Sequence, residues 1–244
     1  MQDHPYAKFE EKQFRDLEMT ENQTHYIYPN EQDSTPRFKT EANLKCLTIW
    51  RIIALFICIV VWVFYVLGYY DTFGSFWGFL ESILKFLTNW GMVFTTLFFL
   101  IALITQPESK LEHQVSSILF TLSFCLEIVI TAIFWFALYT GKYNNDMRHL
   151  ADITMHTIPI FLLVIDLIFN RLRFYAKQSI IVMMIIMISY TVVNVLYCFF
   201  DKPIYPILDW VSLTSYIYYI AALVLYIVGF LIVWGVTKCK MKSN

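Results

Sequence analysis

The chain has 244 residues, of which 58% are hydrophobic and only 15% are charged, and its formal net charge is −1. A soluble domain of this size could not bury so many apolar side chains, so the composition excludes a soluble globular protein. The near-neutral charge indicates no particular partner, and we expect no nucleic-acid partner.

The chain begins with a polar segment, residues 1–48, in which acidic and basic residues are mixed and no helical or strand period persists. Such a segment cannot bury enough apolar surface to fold alone, so we predict a disordered tail. It contains no apolar signal-peptide core, and we therefore expect the first apolar run to act as an uncleaved membrane anchor.

Long apolar runs fill the rest of the chain. A bilayer core roughly 30 Å thick needs about 20 apolar residues per helix, which is the length of these runs. We predict an all-α transmembrane domain over residues 49–237, because lipid cannot satisfy the backbone polar groups of an open structure. The six predicted spans are residues 49–69, 86–105, 117–139, 151–169, 180–200 and 211–236.

The Lys and Arg residues near the spans predict the orientation of the chain. Eleven of them lie on the side of the N-terminus, and four lie on the other side. The positive-inside rule therefore places both termini in the cytosol. Residues 1–48 and the basic residues 238–244 are then cytosolic tails.

An amphipathic segment, residues 76–85, precedes the second span. Phe76, Trp77 and Leu84 fall on one helical face, whereas Glu81 and Lys85 fall on the other. This pattern predicts a helix at the membrane interface. A break after this helix would leave backbone N–H groups free to bind an oxyanion. No Gly or Pro marks such a break, so the sequence leaves this point open.

Polar side chains inside the predicted spans are the candidate functional residues, because each costs free energy in hydrocarbon. Thr88 and His156 each lie about one turn from the non-cytosolic end, so they share a depth. A hydroxyl becomes a good nucleophile when a base within hydrogen-bond reach takes its proton, and this pair has that chemistry. The alternative is structural, with the hydroxyl bonded to its own helix backbone and the histidine bridging two helices.

Residues near this pair offer further possibilities. Asp152 lies four residues before His156 and could orient the imidazole, although the helix dipole also favours an acid in a first turn. Asn89, next to Thr88, is a candidate for polar support. The spacing of His149, Asp152 and His156 could suit a metal, but the pattern is weak. We predict no metal and no other cofactor.

Glu127 lies near the middle of the third predicted span. A carboxylate at this depth can relay protons or bind a cation, or it can stay protonated and hydrogen-bonded inside the bundle. No Lys or Arg lies at a similar depth. One acid alone does not define a transport pathway, so its role is left open.

Three short motifs resemble those of one known family. They are K-F-L-T at residues 85–88, M-H-T at residues 155–157 with Pro159 and Phe161, and I-Y-P-I-L at residues 204–208. In this order, residues 45–237 resemble the androgen-induced, FAR-17a-like membrane proteins. T-N-W-G at residues 88–91 and Y-P-I-L-D-W at residues 205–210 also resemble the rolling-stone branch, whose members are linked to cell fusion.

The resemblance implies two alternative functions. Family members with demonstrated activity are threonine hydrolases of fatty acid esters of hydroxy fatty acids, and the matching positions imply Thr88 as nucleophile and His156 as base. The substrate would be a membrane lipid in the surrounding bilayer, and protein partners are unknown. The rolling-stone features imply the alternative, a non-catalytic membrane protein in fusion, adhesion or complex assembly.

The last residues of the chain bear on its location. Lys240 and Lys242 stand fifth and third from the end. This spacing is similar to a K-x-K-x-x retrieval signal, which predicts the endoplasmic reticulum membrane. Alternatively, these lysines are simply positive-inside charges that flank the last span.

Overall fold

The computed structural model describes residues 41–104, 110–139, 141, 146–170 and 172–242. The predicted disordered tail lies outside the described residues over positions 1–40. The end of the predicted C-terminal tail, positions 243 and 244, also lies outside them.

All regular secondary structure in this part of the chain is helical, which confirms the predicted fold class. Within the described residues there are seven α-helices, and six of them are long and apolar enough to cross a membrane. The remaining α-helix, the second in chain order, is too short. A short π-helix, Phe134–Leu138, follows the fourth α-helix. The α-helices are α1 (Glu41–Phe73), α2 (Phe76–Lys85), α3 (Leu87–Ile104), α4 (Lys110–Ile133), α5 (Asp146–Phe169), α6 (Ala176–Phe200) and α7 (Leu213–Lys242).

All the long helices except α3 extend beyond the predicted spans at one or both ends, and α1 and α7 show this most clearly. Helix α1 begins at Glu41, eight residues before the predicted start of the first span, and α7 continues to Lys242 through most of the predicted basic tail. Hydropathy marks only the part of a helix that is apolar enough for the bilayer, whereas polar residues continue a helix into the interface and water.

Helix α4 is the central element of the bundle. It packs against α3, α5, α6 and α7. About 67% of its most apolar stretch is buried, against 22–39% for the other five long helices. The outer helices expose rows of large apolar side chains, such as Phe56 on α1, Ile185 on α6 and Val224 on α7. Apolar side chains that face outward are consistent with a surrounding lipid bilayer.

Two glycines allow close approach between helices. A Cβ atom at Gly68 would lie only 3.0 Å from the carbonyl oxygen of Met147, so α1 and α5 pack closely there. A Cβ atom at Gly91 would lie 2.4 Å from Ile130 Cδ1 and 2.7 Å from Glu127 Oε1, where α3 meets α4. Helix α3, which carries Thr88, therefore packs closely on α4 at Gly91, and helix α5, which carries His156, packs closely on α1 at Gly68.

A buried ionic network ties several helices together where α5 ends. Arg51 Nε lies 3.1 Å from Asp166 Oδ1, and the Asp166 side chain is fully buried. Arg51 also donates to the Ala102 carbonyl at 3.0 Å, and Asn170 Nδ2 donates to Asp166 Oδ2 at 2.7 Å. These bonds join α1, the end of α3 and the end of α5.

Lys240 joins α7 to the same network. Its ammonium donates to the carbonyl oxygens of Leu167 and Asn170. Carbonyl groups at the end of a helix lack helical partners, so a lysine there caps α5 and complements the negative end of its dipole. Lys240 therefore has a structural role in addition to any contribution to membrane orientation.

Candidate active site

The chain breaks between α2 and α3, next to Thr88. The Ser75 hydroxyl caps α2 by accepting from the Gly78 N–H at 3.2 Å. Helix α2 ends at Lys85, Phe86 adopts an extended conformation with φ −98° and ψ 127°, and α3 begins at Leu87. The break that the sequence left open is therefore present, although neither Gly nor Pro marks it.

Thr88 and His156 meet inside the bundle. Thr88 Oγ1, in the first turn of α3, lies 3.0 Å from Nε2 of His156 on α5. His156 Nδ1 lies 2.6 Å from the carbonyl oxygen of Asp152. A carbonyl can only accept, so Nδ1 must carry the proton, and Nε2 therefore has the lone pair that accepts from the Thr88 hydroxyl. This is the arrangement that a base and a nucleophile require.

The imidazole is held from several sides. The Phe134 ring, at the start of the π-helix, stacks on it with a centroid distance of 3.9 Å and an interplanar angle of 10°. Thr131 Oγ1 donates to the His156 carbonyl at 2.7 Å. Asp152 orients the ring through its backbone carbonyl, whereas its carboxylate accepts from the Tyr69 hydroxyl at 2.6 Å. The sequence suggested Asp152 as an orienter but could not distinguish these two groups.

Asn89 lies at the centre of a buried polar network. Its amide donates to the Tyr65 hydroxyl and to the Ser82 carbonyl, each at 2.8 Å. Tyr65 in turn donates to the Ser82 hydroxyl at 3.2 Å. Because these residues belong to α1, α2 and α3, the network joins the three helices around the break beside Thr88.

Tyr205 also lies beside Thr88, although the sequence analysis assigned it no role. Its phenol oxygen accepts from the Leu87 N–H at 3.1 Å and also interacts with the Thr88 side chain. Burial raises the pKa of the Tyr205 phenol above its usual range, so the O–H remains available as a donor at neutral pH. The motif at residues 204–208 was the only signal in the sequence that pointed to this position.

The loop that carries Tyr205 is tightly held before α7. Asp209 Oδ1 accepts from the N–H groups of Val211 and Ser212 at 3.0 and 2.9 Å. The Ser215 hydroxyl, which donates to the same oxygen, and these two N–H groups hold the pKa of the Asp209 carboxyl well below its usual range. Trp210 has a φ of 57°, which is uncommon for a residue other than Gly and indicates a constrained loop.

Two cavities meet at Thr88 and His156. We call the first the polar cavity, because Glu81, Lys85 and Asp152 line it. It has a volume of about 520 Å³, lies between α1, α2, α3 and α5, and is open to the outside. The apolar slot, about 60 Å³, lies between α4, α6, α7 and the loop that carries Tyr205. Thr88, His156, Tyr205 and Leu138 line both cavities. Water and a hydrocarbon chain could therefore approach the same hydroxyl from different directions.

Glu127 lies apart from this pair. It is fully buried on α4, and its Oε1 accepts from Thr95 Oγ1 at 3.3 Å. No ion pair to Glu127 occurs among the described residues. Its Oε1 lies beside Gly91, whereas its Oε2 is buried without a hydrogen-bond partner within the described residues.

The residues of the possible metal trio have separate partners. His149 Nε2 lies 3.3 Å from the Tyr139 hydroxyl, the Asp152 carboxylate binds Tyr69, and His156 binds Thr88. Within the described part of the chain, no group of three or more His, Cys, Asp or Glu residues is arranged to hold a metal ion.

The fold and site define a multi-pass helical membrane protein with a Thr–His pair inside its bundle. A comparison with protein-family models matches residues 50–238 to the FAR-17a/AIG1-like protein family. The chain belongs to this family, which confirms the resemblance of its three motifs. Comparisons with curated proteins and with solved structures gave no match.

Proposed function

We propose that this protein is an intramembrane hydrolase that cleaves fatty-acyl esters of hydroxy fatty acids or similar lipids. The observation that carries the proposal is the 3.0 Å contact between Thr88 Oγ1 and His156 Nε2, in the tautomer that the Asp152 carbonyl imposes. The family membership supports the lipid as substrate class, and the surrounding bilayer supplies it. The reaction needs no cofactor.

The proposed reaction has two stages. His156 Nε2 takes the Thr88 proton as Oγ1 forms a bond to the ester carbonyl carbon. The tetrahedral intermediate then breaks the ester C–O bond, and the imidazolium returns its proton to the departing alcohol. Water from the polar cavity next attacks the acyl-Thr88 carbonyl and gives a proton to His156. Collapse of this second intermediate releases the fatty acid and restores the Thr88 hydroxyl.

Tyr205 is positioned to stabilise the oxyanion in both stages. Its oxygen accepts from the Leu87 N–H, which polarises the phenol so that its O–H becomes a better donor toward a negative oxygen next to Thr88. The start of α3, with the positive end of its helix dipole, lies at the same place.

Substitution Tyr205→Phe should lower kcat by about 10²-fold with little change in KM, because it removes a donor that acts mainly in the transition state. The measurement is steady-state hydrolysis of a long-chain ester by purified protein in nanodiscs. Tyr216→Phe is a matched control, because the Tyr216 hydroxyl donates to the Trp210 carbonyl and lines neither cavity. Equal effects of the two substitutions would argue against the oxyanion role.

The proposal as a whole is tested with a fluorophosphonate probe on the purified protein. The expected result is covalent labelling of a peptide that contains Thr88, identified by mass spectrometry, with no labelling in Thr88→Ala protein. Labelling at another residue, or none together with no ester hydrolysis, would favour the non-catalytic alternative in fusion, adhesion or complex assembly.

The rolling-stone-like segment after Thr88 has a structural explanation in this chain. Asn89 holds the buried network, Trp90 Nε1 donates to the Leu84 carbonyl at 2.9 Å, and Gly91 leaves room for Glu127 and Ile130. These roles are compatible with catalysis at Thr88. The segment is therefore no argument against the hydrolase.

We also infer that the protein resides in the endoplasmic reticulum membrane, with both termini in the cytosol and the polar cavity open toward the lumen. The basic residues near the spans support this orientation, and the K-x-K spacing of Lys240 and Lys242, which is similar to a dilysine retrieval signal, supports the location.

Lys242→Ser tests the location, because it disrupts the dilysine pair without removing the bonds that Lys240 makes to α5. We expect a tagged protein to move to the Golgi or plasma membrane. Lys238→Ser is the control, since it removes a lysine from the same helix end and leaves the pair intact. If the Lys242→Ser protein stayed in the endoplasmic reticulum, Lys240 and Lys242 would not form a retrieval signal and would only help to set the membrane orientation.

A further inference from the structure

The apolar slot beside Thr88 has the apolar lining and the elongated shape of a hydrocarbon binding site. On α4 its lining runs from Ile133, next to the Phe134 ring that stacks on His156, to Leu126. Seven residues of helix correspond to about 10 Å along the axis. The slot is therefore long and narrow, and one of its ends lies at the Thr88 hydroxyl.

The other end of the slot is closed by packed side chains. Its deepest lining residues on the outer helices are Met187 on α6 and Ala222 on α7. One turn further from Thr88, Met183 and Tyr226 are only 6% and 5% exposed and belong to the same buried cluster as Leu126. A chain that enters at Thr88 must therefore stop near Ala222.

Most polar groups along the slot already have partners; the exception is the buried Asn194 Nδ2, which lies about two turns of α6 from Met187, toward the Thr88 end of the slot. The Thr191 hydroxyl donates to the Met187 carbonyl at 2.8 Å and lies 3.1 Å from the Tyr219 hydroxyl. Asn194 Oδ1 accepts from Trp210 Nε1 at 2.7 Å. The favourable ligand is one that supplies only methylene groups, since a polar group would lose its hydration there without compensation.

We propose that the apolar slot binds one unbranched acyl chain, and that Met187 and Ala222 at its closed end set the longest chain accepted. This inference rests on the proposed hydrolase, because it assigns the slot to the acyl half of the ester that Thr88 attacks. The leaving alcohol and the hydrolytic water then occupy the wider polar cavity, which has room for a bulkier, more polar group. The protein would thus select its substrate by acyl length and tolerate variation in the alcohol.

Adjacent alanines on α7 provide a matched pair of variants. Ala222 lines the closed end of the slot, whereas Ala221 is exposed on the outer surface of the bundle. Phe at position 222 should fill the closed end, and Phe at position 221 should extend into lipid. Both substitutions add the same apolar volume to the same helix, so they differ only in whether that volume enters the slot.

The first measurement compares hydrolysis of butanoyl and octanoyl esters of one alcohol, because an extended chain of about eight carbons matches the slot's length of about 10 Å. We expect Ala222→Phe to lower the octanoyl-to-butanoyl ratio of kcat/KM by about tenfold or more, because about two buried methylene groups lose their place. Ala221→Phe should leave the ratio unchanged. Met187→Ala should shift the preference toward longer chains, and it provides a test of opposite sign if Ala222→Phe does not fold. An unchanged ratio in every folded slot variant would overturn the proposal.

The second measurement does not depend on catalysis. A linear fatty acid with a diazirine near its terminal methyl group is photo-crosslinked to Thr88→Ala protein, and labelled peptides are identified by mass spectrometry. Labelling near Met187 and Ala222 that octanoate competes away, and that Ala222→Phe removes, would support the slot even if no hydrolysis is found. Labelling confined to lipid-facing positions would refute the proposal that the slot binds an acyl chain. If the slot is labelled but the wild-type protein cleaves no ester, only the proposed hydrolase activity is wrong.

Discussion

Thr88→Ala and His156→Ala should each lower kcat/KM for ester hydrolysis by at least about 10³-fold. The first removes the nucleophile, and the second removes the base that accepts its proton at 3.0 Å. The double variant should be little worse than either single variant, because the two residues act as one unit. Hydrolysis in nanodiscs and fluorophosphonate labelling are the measurements. The lost hydrogen bond should cost only about 1 kcal/mol of stability, so folding should persist.

Two substitutions on the same helices serve as controls. Thr96 lies on α3, bonds the Met92 carbonyl at 2.8 Å and lines neither cavity, so Thr96→Ala should retain activity. His149→Ala should also retain activity. If it were as damaging as His156→Ala, the metal trio would gain support over the Thr–His pair.

Thr88→Ser refines the assignment of the nucleophile. It keeps a hydroxyl at the same Cβ position, so part of the activity should survive. A properly folded Ser variant as inactive as Thr88→Ala would count against nucleophilic attack by Thr88. If Thr88→Ala and His156→Ala both kept nearly wild-type activity, the contact between Thr88 and His156 would be only a structural bridge between α3 and α5.

Asp166→Ala should destabilise the protein by about 3 kcal/mol or more, because it leaves Arg51 partly buried without its carboxylate. The Asp166 side chain is fully buried and the Arg51 side chain is only 12% exposed, so water replaces the lost partner poorly. Asn170 Nδ2 loses its acceptor at the same time. Thermal unfolding in nanodiscs measures the effect. Ester hydrolysis at a temperature well below the transition should be retained, since the network lies at the end of the bundle away from Thr88.

Glu127→Gln provides the comparison for a second buried acid. Glu127 has no ion pair within the described residues, and an amide of the same shape can still accept from Thr95. Its loss of stability should therefore be well under that of Asp166→Ala. If Glu127→Gln instead abolished hydrolysis or an associated proton flux, a relay through this carboxyl would have to be considered.

The sequence by itself determined the membrane class and the number of spans, and it predicted the pairing of Thr88 with His156. Spans follow from local composition, because a run of apolar residues long enough for a bilayer needs no knowledge of its neighbours. Thr88 and His156 could be paired because their depths follow from counting along two helices. The amphipathic helix at residues 76–85 was predictable for the same reason, since its pattern is local.

Only the tertiary structure decided which groups act on that pair. The role of Tyr205 depends on a loop between α6 and α7 that returns to the start of α3, more than a hundred residues away in sequence. Asp152 contacts His156 through its backbone carbonyl, whereas its carboxylate accepts from Tyr69, and helix spacing could not reveal this difference. The break at Phe86 depends on the network of Asn89 across three helices, and the apolar slot exists only where α4, α6 and α7 meet. These features arise from contacts between distant segments, and periodicity along one segment carries no information about them.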